Sequence, residues 1–401
     1  MRKKPFSWPV LIFLANLILS LGFSFWVYPH FSDATSGLDP DGYGAVAKIW
    51  LETGRFDSIE KAPLYPAFIA LVGLIFGGFQ IPFIQAAQCL ISATTCVLLY
   101  FVFLLAFEGD QAMAGTAGLA WAVYPISIWY IPRLWTEIFL TLVLTLYTLA
   151  LLRFLKQPSG FGALVCGLTI GISALTKGIA LIFLPLTLLI VIFVFRKWAL
   201  NWILTISFGA LLLVGPWIWR TWRLSGAILP IHSNGGYNFY LGNGFTRHWI
   251  ESPFSYAELK NLTENDIQVF YTGLGGVPDD PIVEDRLLLQ AALAEIRAKP
   301  LFGLKKLLIQ SLNFWYLAGN YSKSVLTGLI QIPVVLAAGV GAWRAFQHRS
   351  WARVLLIPVL GIMGASVVVF SFARLSAPVM PYLMGLSVYW LLPAFISFKK
   401  A

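Results

Sequence analysis

Charge is scarce in this 401-residue chain: Asp, Glu, Lys and Arg together make up 11% of it, where a soluble domain carries about 25%. Acids are scarcer than bases, 18 against 28. The 3 cysteines, Cys89, Cys96 and Cys166, each lie within an apolar run, which argues against a disulfide framework or metal-ligand spacing. There is no repeat of constant period and no low-complexity tract, so neither a solenoid nor a disordered tail is indicated. What abounds is apolar: 58% of the residues are hydrophobic. The chain reads as an all-α polytopic membrane protein. Its net charge of +10 would suit nucleic acid, but the placement of that charge follows membrane orientation instead, and no nucleic-acid partner is expected.

A bilayer core of about 30 Å needs roughly 20 apolar residues per helix. About ten stretches qualify: Trp8 to Tyr28, Phe83 to Phe107, Ala112 to Tyr130, Thr136 to Leu155, Phe161 to Leu175, Ile179 to Phe195, Trp202 to Trp219, Val325 to Trp343, Leu355 to Phe372 and Pro378 to Phe395. The first follows "MRKK" but has no small-residue cleavage site, which favours a retained helix over a signal peptide. Pro63 to Gly77 is short and carries Pro66 in its first turns. If it does not span, Arg153 with Lys156, Arg196 with Lys197, the group Arg344, Arg349 and Arg353, and the terminal Lys399 and Lys400 all share the side of "MRKK". That is the positive-inside pattern, with both termini cytoplasmic and most acids outside. Pro63 to Gly77 is therefore expected to be juxtamembrane or re-entrant.

The expected division is a transmembrane module over residues 1–219, whose first outer loop (29–80) holds juxtamembrane helices; a large extracytoplasmic loop over 220–324; and transmembrane helices over 325–401. In the large loop, "HSNGGYNFYLGNG" suits tight turns and left-handed backbone. "EDRLLLQAALAEIRAKP" reads as helix, and "LFGLKKLLIQSLNFWYL" as an amphipathic helix on the outer leaflet.

Acids stand just beyond the first span, in "GLDPDGYGAVAKIWLETG". Asp39 suits a helix N-cap, Pro40 its first position and Gly54 its end. Tyr43, Val46, Ala47 and Trp50 recur at helical spacing, so the helix should lie flat on the membrane and hold Asp39 at the water boundary. Capping and the helix dipole would by themselves account for Asp39 and Asp41. However, Arg133, Lys177 and Arg374 each stand alone at an outer helix end, and Glu137 adds an acid at the same level. Charge at membrane depth is costly and marks a functional site, with mutual ion pairing as the competing explanation for any one member. Together with Lys61, Arg220 and Arg223 these groups can converge on one outer-leaflet cavity. A boundary carboxylate among cations suits group transfer from a lipid-linked phosphate: the acceptor hydroxyl needs a base, while the departing phosphate needs cations rather than an acid.

Four segments resemble the C-type glycosyltransferase superfamily (GT-C), in particular its branch related to protein O-mannosyltransferases and the lipid A aminoarabinose transferase. They are "DPDGYGAVAKIWLETGRF", "KAPLYPAFIAL", "LTKG" (Leu175 to Gly178) and "GPWIWRTWRLSGAILPIHSNGGYNFYLGNG". The resemblance implies an inverting transfer from a polyprenyl-phosphate sugar to a glycan, glycolipid or protein acceptor at the outer face of the plasma membrane. Its register, an acid four residues before a tyrosine, selects Asp39 over Asp41 as the base. Asp41, Tyr43 and Glu137 would then shape the acceptor or metal region, and Lys61, Lys177, Arg220 and Arg374 would hold the donor phosphate. The resemblance fixes no cofactor and leaves a divalent cation open, since metal dependence varies across the superfamily. His232 and His248 are potential ligands, although isolated loop histidines are usually solvated. Ala62 in place of a second proline, and an end near the tenth span, leave the acceptor undecided. The competing classes are a transporter or flippase, which would place ionisable groups near the midplane and show repeated halves, and a glycan polymerase or ligase with a diphosphate lipid donor.

Overall fold

A computed structural model describes residues 7–31 and 37–398. The basic residues of "MRKK" and the terminal Lys399 and Lys400 lie outside this range. The described residues form helices, turns and loops, with no strand among them. In chain order the first part holds α1 (Trp8–Gly22), α2 (Tyr43–Thr53), α3 (Leu64–Ile75), α4 (Ile81–Ala106), α5 (Gln111–Ala122), α6 (Pro125–Tyr130), α7 (Glu137–Lys156), α8 (Gly160–Thr176), α9 (Phe183–Phe195) and α10 (Ala199–Ser225). Then come α11 (Gly235–His248), α12 (Tyr256–Gly273), α13 (Pro281–Ala298) and α14 (Pro300–Tyr316), followed by α15 (Tyr321–Gln347), α16 (Leu356–Val369) and α17 (Met380–Phe398).

Among the described residues, 7 helical stretches are long and apolar enough to cross a membrane. One of them, Gly178–Ser225, holds two expected spans, because the chain turns at Arg196 (φ 43°) between α9 and α10. Another expected span, α8, is a shorter apolar helix of 17 residues. Ala112 to Tyr130 is not one span. Pro125 has no amide to donate and disfavours helical backbone at Tyr124, whose ψ is 120°, so α5 stops and α6 starts afresh.

The chain leaves α1 and enters α4 at the same end of the bundle. Phe23, just past α1, packs on Trp129 with ring centroids 5.9 Å apart, and Gln88 at the start of α4 donates to Ile131 O at 2.7 Å. The segment between them therefore does not cross. Its apolar helix α3 has 12 residues, about 18 Å at 1.5 Å per residue, too short for a bilayer core. At the opposite end, Lys156 donates to Leu105 O at 2.7 Å and lies over the Trp351 ring, while Arg344 reaches Trp390 O. Glu137, the first residue of α7, and Lys156, its last, thus mark two chemically different ends: mixed charge at one, basic residues at the other.

The large loop corrects one expectation. "GGYNFYLGNG" is helix, not tight turns, because its glycines serve close packing rather than left-handed backbone. A Cβ on Gly236 would lie 1.9 Å from Asp285 O, and one on Gly242 would lie 2.0 Å from Val369 O. α11 therefore seats against α13 and against the end of α16 through bare backbone. Gly236→Val is expected to destabilise the protein by about 1–3 kcal/mol, the usual cost of overpacking, which thermal unfolding in detergent would register.

α14 is amphipathic in an inverted sense. Its inward face is polar: Lys306 is buried, with Nζ 3.0 Å from Asn243 Oδ1, and Gln310 donates to Gly242 O at 3.0 Å while accepting from Ser371 N at 2.7 Å. Its outward face presents Leu301, Leu304, Leu308 and Leu312, all more than half exposed.

Candidate active site

The two acids before α2 face different ways. Gly42, with φ 72°, closes a turn in which its amide reaches Asp39 O at 3.2 Å. Helix α2 begins only at Tyr43, so Asp39 is not its N-cap and Pro40 is not its first residue. The Asp39 carboxylate nevertheless folds back onto the helix start, where Oδ2 accepts from Ala45 N at 3.0 Å. Its Oδ1 is buried and has no hydrogen-bond partner among the described residues. Burial raises the Asp39 pKa despite hydrogen bonds from the α2 amides. The neighbouring residue Leu38 is pinned by the Leu134 amide at 2.8 Å. Gly54, with φ 69°, ends α2 as expected, and Ala47 on its predicted apolar face is buried.

Asp41 points the other way, into open space, and is paired with the Arg374 guanidinium. Burial alone would raise its pKa, but the charge and hydrogen bond of Arg374, with help from Lys177 and Lys61, outweigh that and bring it down to about 2. Arg374 also approaches Glu137, with Nε 2.9 Å from Oε1, and lies 4.2 Å from the Trp135 ring centroid. Lys177 donates to the same Glu137 Oε1 at 2.8 Å. Asp41, Arg374, Glu137 and Lys177 thus form one alternating chain. Glu137 is 1% exposed and holds the two cations from behind rather than facing a ligand itself.

Two cavities meet at Asp41. The first, about 560 Å³, is lined by Lys61, Lys177, His232, Tyr237 and Asn238 on one side of the ion pair. The second, about 400 Å³, is lined by Trp129, Arg133, Lys323, Leu326 and Ile330 on the other. Pro40, Asp41, Tyr256, Lys260, Phe372 and Arg374 border both. Among the described residues lining either cavity, Asp41 is the one carboxylate; Asp39 lines neither.

The structure gathers Asp41, Tyr43, Lys61, Lys177 and Arg374 around the first cavity, with Lys61 Nζ 5.7 Å from the Tyr43 ring centroid. It does not bring in Arg220. That guanidinium stacks over Phe56 and Trp217 at 5.2 and 4.6 Å and borders neither cavity. Arg223 likewise sits over Trp219. His232 is not a solvated loop histidine: burial, with Lys61 and Lys177 nearby, lowers its pKa to about 4, so it stays neutral. His248 lies elsewhere, against Asp266 Oδ2 at 3.0 Å. Sequence reasoning missed Lys260 and Tyr256. Both belong to α12, where Lys260 also pairs with Glu264 at i,i+4, a pattern that reads as an ordinary solvated helix face.

A divalent cation does not fit this set. Among the described residues no group of 3 or more His, Cys, Asp or Glu side chains converges. The acids at the centre, Asp41 and Glu137, are already matched by Arg374 and Lys177, which would repel a metal ion.

Residues 60–219 match the family model of dolichyl-phosphate-mannose-protein mannosyltransferases. A sequence search of curated proteins returns no match. Among solved structures, the apo oligosaccharyltransferase of Archaeoglobus fulgidus superposes with a TM-score of 0.59 at 15% identity, covering 98% of this chain and 51% of that one. The same organism's oligosaccharyltransferase AglB, in complex with an inhibitory peptide and a dolichol-phosphate, gives 0.59 at 14% identity, covering 97% and 50%. ArnT from Cupriavidus metallidurans bound to undecaprenyl phosphate matches with a TM-score of 0.43 at 16% identity, covering 96% and 77%. The chain spans about half the length of the archaeal structures. The chain is accordingly a membrane protein, helical with no strand among its described residues, whose fold is similar to that of the archaeal oligosaccharyltransferase and whose residues 60–219 match the dolichyl-phosphate-mannose-protein mannosyltransferase model.

Proposed function

We propose that the chain is an inverting glycosyltransferase that moves a sugar from a polyprenyl-phosphate donor to an acceptor on the extracytoplasmic face. The observation that carries this reading is a single carboxylate, Asp41, shared by two cavities and opposed by cations. The first cavity suits the donor: Lys61, Lys177 and Arg374 match the phosphate, and Asn234, Tyr237 and Asn238 offer hydrogen bonds to a sugar. The mannosyltransferase pattern over residues 60–219 and an AglB neighbour holding a dolichol-phosphate support a lipid-phosphate ligand.

The acceptor oxygen attacks the anomeric carbon from the side opposite the phosphate, which inverts that centre. The carbon–oxygen bond to phosphate breaks, and its electron pair leaves with the lipid phosphate. The hydroxyl proton passes to Asp41 and from there to water. Cations already neutralise the leaving phosphate, so no general acid is required. In the resting site Arg374 holds the Asp41 proton affinity low. A donor phosphate competes for that guanidinium, so donor binding itself makes Asp41 a better base.

Asp39 and Glu137 act here as positioning residues, one fixing the loop before α2 and the other the cations. The basic helix ends opposite this site support, by the positive-inside rule, an outer location for it. In lipid nanodiscs, Lys61→Ala is expected to weaken undecaprenyl-phosphate binding about tenfold, the usual worth of one charge-assisted contact. Unchanged binding by native mass spectrometry would remove Lys61 from the phosphate site.

A further inference from the structure

Between α10 and α11 stand His232, Ser233 and Asn234, each with a buried polar atom that has no hydrogen-bond partner among the described residues: Nδ1, Oγ and Oδ1 respectively. A buried polar atom left unpaired is costly, and native proteins keep few of them. His232 and Asn234 border the first cavity. Their segment is fixed in place. The Trp217 indole donates to Ile231 O at 2.7 Å, Ser233 N donates to Ile59 O at 3.1 Å, and Asn234 Nδ2 donates to Glu60 O at 3.4 Å. The last two bonds staple it to the chain just before Lys61. On the other side the imidazole packs on Gly178, where a Cβ would lie 2.6 Å from His232 Nε2, and Lys177 is the residue before that glycine. His232 is thus set between the two backbone segments that carry Lys61 and Lys177.

A phosphate and a hydroxyl ask different things of this corner. The oxygens of a phosphate diester only accept, and Lys61, Lys177 and Arg374 already supply charged donors. Asn234 has its amide nitrogen turned to Glu60 O, so what it leaves free is an acceptor oxygen, which repels phosphate and matches an O–H. A neutral imidazole holds one donor and one acceptor, as a hydroxyl does. Burial and the two lysines keep His232 in that neutral form, with its pKa at about 4, so it adds no charge for a phosphate to use.

We infer that His232 and Asn234 read a hydroxyl of the donor sugar, which makes them specificity-determining residues for the sugar rather than ligands of its phosphate. The inference rests on the donor reading of the first cavity. A site built to hydrogen-bond a hydroxyl rejects a ligand that lacks it, because its own buried polar atoms are then left unpaired. The gain in affinity that a sugar brings to the lipid phosphate should therefore run through these two side chains.

The test uses the full chain in nanodiscs and compares, by native mass spectrometry, bare undecaprenyl phosphate with undecaprenyl-phosphate mannose, glucose and galactose. At least one sugar-bearing lipid is expected to bind about tenfold more tightly than the bare one, the worth of one or two hydrogen bonds. His232→Phe keeps a ring against Gly178 but removes both nitrogens, and should bring that ratio down to about twofold or less. Asn234→Ala leaves the imidazole in place and should lower the ratio by a similar factor. No gain from any of the three sugars, a ratio untouched by both variants, or equal weakening of bare and sugar-bearing lipid in both overturns the inference. Equal weakening would mean that the pair serves the phosphate or the fold. If bare undecaprenyl phosphate does not bind the parent protein at all, the donor reading falls and this inference with it. If it binds and no sugar improves on it, the inference alone falls.

Discussion

Asp41→Asn is expected to lower sugar transfer by about 10²–10⁴-fold, the range ascribed to a positioned general base, while undecaprenyl-phosphate binding stays at or above that of the parent. The amide keeps the shape of the side chain but cannot take up the acceptor proton, and it releases Arg374 to the donor phosphate. Asp39→Asn is the paired control. Asparagine accepts a backbone hydrogen bond at a helix start about as well as aspartate does, so the bond from Ala45 survives. Transfer by that variant should stay within about threefold of the parent. An inactive Asp39→Asn beside an active Asp41→Asn would return the base to Asp39. The acidic limb gives a further check. With its pKa near 2, Asp41 stays ionised as pH falls from 8 to 5 and loses its charge only near 2. Free-enzyme activity should therefore show no Asp41-dependent drop over pH 5–8.

Arg374→Met should cost about 3–5 kcal/mol of stability, as removal of one partner from a buried ion pair does. It strands Asp41 and leaves Glu137, 1% exposed, with Lys177 as its remaining partner. Recovery of much of the thermal stability, without recovery of transfer, is expected in the double variant Arg374→Met with Glu137→Gln. A double variant as unstable as the single would mean that Arg374 acts by packing over Trp135 rather than by charge.

The membrane class and the placement of isolated charges were legible in composition and spacing, because cost at membrane depth leaves few reasons for a lone Lys177 or Arg374. Which of two nearby acids faces the cavities was not. That depends on how the turn closed by Gly42, with φ 72°, carries both acids onto the start of α2, which no residue spacing reveals. The helical course of α11 was hidden for a related reason: glycine serves both left-handed turns and close backbone approach, and only the facing Asp285 and Val369 carbonyls distinguish them. Arg220 looked like its fellow cations because sequence does not reveal the aromatic rings, Phe56 and Trp217, that claim it. The interruption at Tyr124 was foreshadowed by Pro125, yet the apolar run around it reads as continuous.

The leucine row of α14 makes surrounding lipid a working part of this molecule. Water against Leu301, Leu304, Leu308 and Leu312 would favour rolling the helix over, and that roll would draw Lys306 and Gln310 away from α11 and the Ser371 amide. Stripping annular lipid during purification should thus loosen α11, which lines the first cavity, before the rest of the bundle melts.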